Sequence, residues 1–289
     1  MATTTSPIKL IECPRDAMQG WPHLIATDKK IAYINALLKV GFDTIDFGSF
    51  VSPKAIPQMA DTAEVIKGLQ PNATTKLLAI VANIRGAREA LAYDAIDCLG
   101  FPFSISPTFQ LRNTNSTMQQ SLAIVEEIQN LCVKNQKKLV VYISMGFGNI
   151  YGDEYNESIV VAWIDKIASL GVTTISIADT VGLATPLQVA HMMQSLLPMY
   201  PAIEIGVHLH ADAGTWKDKV DAALQSGCLR FDGALKGIGG CPMAGNELIG
   251  NMDTELMIPY FKSLQLLSGL NEAALQQCSI MANELFTRY

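Results

Sequence analysis

This chain of 289 residues predicts an α/β fold in which eight parallel strands close into a (β/α)8, or TIM, barrel with an additional C-terminal helix. Three observations lead there. Short apolar runs alternate with longer amphipathic stretches eight times, with no break in composition. The length is close to that of such a barrel built as one domain. Hydrophobic residues make up 49% and charged residues 17%, ample for a large core and poor for disorder. A single catalytic domain, 1–289, is therefore expected, with the barrel over about 8–268 and the extra helix over about 271–287.

Taken in order, the expected strands are Ile8–Glu12, Thr44–Gly48, Lys76–Val81, Ala95–Phe101, Leu139–Met145, Thr174–Asp179, Ile203–His210 and Arg230–Leu235. Between them run helical patterns: Asp28–Lys39, Ser116–Lys137, Ser158–Leu170, Pro186–Leu197 and Trp216–Ser226. Thr27 or Asp28 is the expected N-cap of the first, Pro186 stands in a first turn, and Gly41, Gly171 and Gly227 follow helix ends. Asn271–Leu285 supplies one helix beyond the eighth unit, packing on the barrel or on a partner in a homodimer. A doubly wound open sheet is the alternative architecture. It would normally carry a Gly-rich phosphate loop after its first strand, and Cys13-Pro14-Arg15-Asp16 is not one.

Composition excludes several classes of partner. A formal charge of −6, from 21 basic and 27 acidic residues, steers nothing toward nucleic acid. An anionic substrate must instead meet a local basic group. Met1 to Lys9 is Thr-rich and lacks the pattern of a signal peptide, and no apolar stretch approaches the roughly 18 residues of a membrane span. The six cysteines (13, 98, 132, 228, 241, 278) have no paired spacing, which suits a reducing cytoplasm.

Within Ile203–His210, the β-branched residues around the two histidines read as a strand. Alternate side chains of a strand share a face, so His208 and His210 are expected to project together. They are either a metal-binding pair or core histidines satisfied by hydrogen bonds.

The carboxyl ends of the other strands carry Glu12, Arg15, Asp16, Gln19, Asp46, Asn83, Ser144, Asp179, Thr180 and Lys236. Buried charges are costly unless paired or metal-bound, so a purely structural barrel has no reason to gather these on one rim. Singly, each has a mundane alternative. Asp16 could cap a helix or pair with Arg15, Asp179-Thr180 could cap a loop, and Cys241 could be a small buried hydrophobe. Cys241 follows glycines at 237, 239 and 240, a loop with freedom to move over a site. A cation held by Asp16, His208 and His210, with Asn251 as a fourth ligand, would have a mixed oxygen and nitrogen shell suited to Mg²⁺ or Mn²⁺, with Zn²⁺ also allowed.

Five segments resemble, in order, the 3-hydroxy-3-methylglutaryl-CoA lyases: Cys13-Pro14-Arg15-Asp16-Ala17-Met18-Gln19, Ser49-Phe50-Val51-Ser52-Pro53-Lys54, Pro57-Gln58-Met59, Val207-His208-Leu209-His210 and Gly237-Ile238-Gly239-Gly240-Cys241-Pro242. The similarity spans about Lys9 to Leu256. It implies a divalent-metal-dependent lyase that cleaves an acyl-CoA substrate to acetyl-CoA and acetoacetate, a step of leucine catabolism. It also implies Asp16, His208, His210 and Asn251 as metal ligands, and Arg15, Asp46, Asp179, His208 and Cys241 as catalytic positions. The chain departs from the pattern in places. Cys13 replaces a glycine and Ala17-Met18 a Gly-Leu pair. Asp46 stands where a glutamate is usual, one methylene shorter, so a looser or water-bridged contact is expected. The rival readings are a Claisen-condensing synthase or a hydroxy-ketoacid aldolase on the same barrel, or a barrel that binds acyl-CoA or metal without turnover.

Overall fold

The computed structural model describes residues 7–240 and 249–287. Its strands are β1 (Lys9–Glu12), β2 (Thr44–Ser49), β3 (Lys76–Ile80), β4 (Cys98–Ser104), β5 (Lys138–Ser144), β6 (Thr174–Ala178), β7 (Glu204–His208) and β8 (Arg230–Gly233). Each pairs in parallel with its neighbour in sequence, and β8 returns to β1 to close the barrel. Parallel strands covered by helices are buried on both faces, which is why β5 reads Leu-Val-Val-Tyr-Ile without polar alternation.

The surrounding helices are α1 (Pro14–Gln19), α2 (Thr27–Leu37), α3 (Thr62–Gly68), α4 (Ile84–Ala90), α5 (Pro107–Thr114), α6 (Met118–Lys134), α7 (Glu157–Ser169), α8 (Pro186–Met199), α9 (Trp216–Gln225), α10 (Thr254–Ser263) and α11 (Glu272–Leu285). Local chemistry sets their ends. Thr117 with Gln120, and Thr185 with Gln188, form capping boxes at α6 and α8, and Pro186 opens α8 as expected. Gly41, Gly171 and Gly227 take φ of +94°, +83° and +97°, the turn that stops a helix. No helix among the described residues is long and apolar enough to cross a membrane.

Three expectations are corrected. The N-cap of α2 is Ala26, without a side-chain bond. The Thr27 hydroxyl instead donates to Asp61 Oδ2 at 2.8 Å, so a tertiary partner takes the group that local sequence assigned to the cap. The fourth strand is Cys98–Ser104, displaced from Ala95–Phe101, and Pro102 lies inside it, paired in register with Tyr142. Proline ordinarily marks a strand's limit because it lacks a donor. Finally, the seventh strand stops at His208, and His210 lies in an isolated antiparallel bridge with Asn251.

The additional helix packs on the barrel. Asn271 N–H donates to Val40 O at 2.8 Å, Cys278 and Ala282 of α11 are buried, and Phe286 sits edge-on to Trp21 and Tyr33 at 5.3 and 6.4 Å between centroids.

Candidate active site at the barrel mouth

The first catalytic candidates come from a sharp turn. Pro14 at the start of α1 is pre-set for helix, so the chain leaves β1 directly into α1 and lays Arg15 and Asp16 over the mouth, both buried. Arg15 Nη1 donates to Asp16 Oδ1 at 2.9 Å and to Gln19 Oε1 at 2.8 Å. Its Nε and Nη2 both meet Asp46 Oδ2, at 3.0 and 2.5 Å. Four of the five guanidinium N–H groups are thereby engaged, leaving one on Nη2.

The expected looser or bridged contact of Asp46 is not what forms. The long arginine side chain reaches the shorter carboxylate directly, and the β2–β3 register shifts between Asp46 and Gly48, a bulge of the kind that re-aims a side chain. Asp46 Oδ1 is left buried without a hydrogen-bond partner among the described residues. Burial pushes the Asp46 carboxyl up to about 6, and the Arg15 charge only partly offsets it.

Asp16, His208 and His210 each present a donor atom, all within 4.8 Å of one another. Each histidine is anchored through one nitrogen. His208 Nδ1 lies 3.3 Å from Asp232 Oδ2, and His210 bonds the main chain of Ile249. Such outer partners orient ligating histidines in metal sites. Asn251 Nδ2 donates to Asp16 Oδ2 at 2.7 Å and to Ile238 O at 3.0 Å, while its Oδ1 is buried with no partner among the described residues.

The electrostatics agree with a cation. Burial would raise the Asp16 carboxyl, but Arg15 and the two histidines outweigh it and hold it well below the usual range. Burial and the neighbouring His208 lower His210 to about 3, so it is a neutral donor. An anionic oxygen, neutral imidazole and an orphaned amide oxygen fit a hard or borderline divalent ion.

Gly239 makes the assembly possible. It takes φ of +121°, and a Cβ there would overlap Asn251 Nδ2 and stand 3.0 Å from Asp16 O. Only glycine lets this loop pass so close.

Other rim candidates go elsewhere. Asp179 Oδ1 accepts the Ala184 N–H at 3.0 Å, and its Oδ2 pairs with Lys219 Nζ at 2.8 Å. Lys219 Nζ also donates to His210 O at 2.7 Å, so Asp179 lies one side chain away from the ligand set. Glu12 accepts from Leu235 N–H at 2.8 Å and Thr254 Oγ1 at 2.6 Å. Asn83 caps α4, and Lys236 pairs with Glu255. Cys241 lies outside the described residues.

Two residues at this site are missing from the sequence reading. Asp232 carried a signal, a carboxylate in a short strand whose four residues are all buried. Lys219 carried none, since a lysine amid Lys217, Asp218 and Asp221 reads as a solvent face.

Comparison with known proteins adds independent findings. The family model described as HMGL-like matches residues 8–281. A hydroxymethylglutaryl-CoA lyase of Bacillus subtilis is 34% identical over 253 residues, covering 88% of this chain and 84% of that protein. The solved structure of an HMG-CoA lyase from Acinetobacter baumannii, in complex with coenzyme A and 3-methylmalate, superposes with a TM-score of 0.89 at 32% identity, over 96% of this chain and 91% of that one. The HMG-CoA lyase of Brucella melitensis superposes with a TM-score of 0.91 at 28% identity, over 98% of this chain and 100% of that one.

Proposed function

The chain belongs to the HMGL-like family, and from that premise we propose that it is a carbon–carbon lyase cleaving 3-hydroxy-3-methylglutaryl-CoA to acetyl-CoA and acetoacetate. The observation that carries the reading is the convergence of Arg15, Asp16, His208 and His210 at the mouth of one barrel, in a chain 34% identical to such a lyase over most of its length.

Cleavage of this kind removes a proton from a tertiary alcohol, develops negative charge at a thioester, and returns a proton to the departing carbon. Asp16, His208, His210 and Asn251 would hold a divalent ion, Mg²⁺ or Mn²⁺ by their donor atoms. When bound, that ion supplies a Lewis acid that lowers the hydroxyl's pKa.

The remaining work falls to side chains. His208 or Asp16 takes the hydroxyl proton. Asp232 occupies Nδ1 of His208, which leaves one imidazole nitrogen either to ligate the ion or to take the proton; where it ligates, Asp16 is the base. Burial would lower His208, but the bond to Asp232 outweighs it and raises its basicity. Arg15 meets the thioester oxygen with its unengaged Nη2–H, held in place by Asp46. Cys241, which lies outside the described residues, is assigned the final proton. Asp179 acts through Lys219, which grips the main chain of His210. The scattered cysteines support a cytoplasmic setting.

Purified protein supplied with Mg²⁺ or Mn²⁺ should release acetoacetate from 3-hydroxy-3-methylglutaryl-CoA. No acetoacetate with either ion would overturn the assignment.

A further inference from the structure

A second group of donors adjoins the divalent-ion set, and the lyase reading makes no use of it as a group. Cys13 Sγ, a nitrogen of His208 and a carboxylate oxygen of Asp232 lie within 4.8 Å of one another, all buried. The topology brings them together: Cys13 ends the β1 segment with its N–H on Gly233 O of β8, Asp232 immediately precedes that glycine, and His208 ends the neighbouring β7.

The group has unspent bonding capacity. Asp232 is wholly buried, yet its Oδ1 has no hydrogen-bond partner among the described residues. The charge opposite it is Arg230, whose Nη2 stands 3.9 Å away, too far for a hydrogen bond. Among the described residues the Cys13 thiol makes a long contact, 3.9 Å to Ile11 O. Sulfur, imidazole nitrogen and carboxylate oxygen are three ligands of different character. Together they suit a tetrahedral ion that accepts thiolate, with water in the fourth position. The sulfur discriminates against Mg²⁺, which takes oxygen ligands in octahedral geometry.

We propose that Cys13, His208 and Asp232 form a second cation site, selective for thiophilic divalent ions such as Zn²⁺ or Cd²⁺, whose occupation inhibits the enzyme. On binding, the Cys13 thiol releases its proton to solvent and its sulfur bonds the ion. His208 gives up its Nδ1–H bond to Asp232, and the ring proton moves to Nε2 by way of solvent as that nitrogen leaves the first donor set. The freed Nδ1 ligates the ion, and Asp232 turns a carboxylate oxygen to the same ion. His208 belongs to both donor sets, so filling this one withdraws it from the reaction site. The resembled lyases carry a glycine where this chain has Cys13, which would make the susceptibility a property of this sequence.

Ion binding stands on Cys13, His208 and Asp232 alone, whereas loss of turnover rests also on the lyase reading, so the two are measured separately. Cadmium chloride titrated into the Mg²⁺-loaded protein should produce thiolate-to-metal charge-transfer absorption that saturates at one ion per chain. Cys13→Ala should abolish that band and weaken cadmium binding by roughly 100-fold or more, since loss of an outer partner alone costs 10–100-fold. Asp232→Asn should keep the band but weaken binding by about tenfold or more. Turnover, measured for each protein against its own cadmium-free value, should be lost in the wild type and spared in Cys13→Ala. Should Cys13→Ala fold poorly, Cys13→Ser serves the same purpose. Absence of the band in the wild type, or the same band and sensitivity in the Cys13 variants, would overturn the proposal.

Discussion

Arg15 is the residue through which most of the mouth is wired. Its fork spans Asp46, Asp16 and Gln19 at once, a geometry that a lysine's single ammonium cannot reproduce. Arg15→Lys should therefore lower kcat by roughly 10²-fold with a smaller change in KM, measured in steady state. An unchanged kcat would mean that the guanidinium does not act in the transition state. A second carboxyl, Glu12, tells a different story. Burial pushes it from 4.5 up to about 8, against the lowering effect of Thr254 and Leu235. Between those values the folded chain holds a proton that the unfolded chain has lost. Its stabilising share is thus whole below about 4.5 and is lost as pH rises through about 8. Glu12→Gln mimics the protonated form, so its melting temperature should fall less than the wild type's between pH 5 and pH 9. Parallel curves for the two proteins would refute the assignment.

Among the elements, α1 supplies Arg15 and Asp16, and the described parts of the segment after β8 bring Gly239 and Asn251 against them. The close passage of Gly239 is what allows Asn251 to bond Asp16 while its Oδ1 has no partner among the described residues. A side chain at a positive φ also strains the backbone by about 1–3 kcal/mol. Gly239→Ala should therefore push Asn251 away and weaken Mn²⁺ binding by roughly 10–100-fold, as loss of an orienting contact does. Calorimetric titration of the folded variant checks this, and wild-type affinity would show that the amide is not a ligand. Elsewhere the helices are secured by their own ends. The capping boxes of α6 and α8 stand on exposed residues, and each is worth about 1 kcal/mol to the framework.

For the molecule as a whole, the mouth is where folding and ligand binding are coupled. Donors from β1–α1, β7 and the loop before α10 meet at one point, so an ion bound there ties distant segments together. A ligand that binds only the folded state stabilises it by about 2.7 kcal/mol at a hundred times its Kd. Mn²⁺ should raise the melting temperature by a few degrees, and a chelator should reverse the gain and stop turnover. His210→Ala should stay folded, lose activity and show little of this shift. A full metal-dependent shift in His210→Ala would remove that histidine from the ligand set.

The barrel was legible in the chain because its causes are local and repeated: apolar runs of strand length, amphipathic stretches between them, and glycines where helices stop. Arg15, Asp16, His208 and His210 were legible because short spacing holds them together, whatever the rest does. Asp46 was found by position, but its partner was not, since only the folded distance shows that arginine length makes up for a missing methylene. Asp179 was placed on the right rim, yet its orientation depends on Lys219, forty residues away, whose sequence surroundings are those of an exposed helix. Asp232 becomes a neighbour of His208 when β8 pairs with β7, and Cys13 joins them only when β8 closes on β1. Local spacing fixes which side chains share a turn or a face, whereas the choice of partner across strands is made by barrel closure, where burial leaves each charge no alternative but the group beside it.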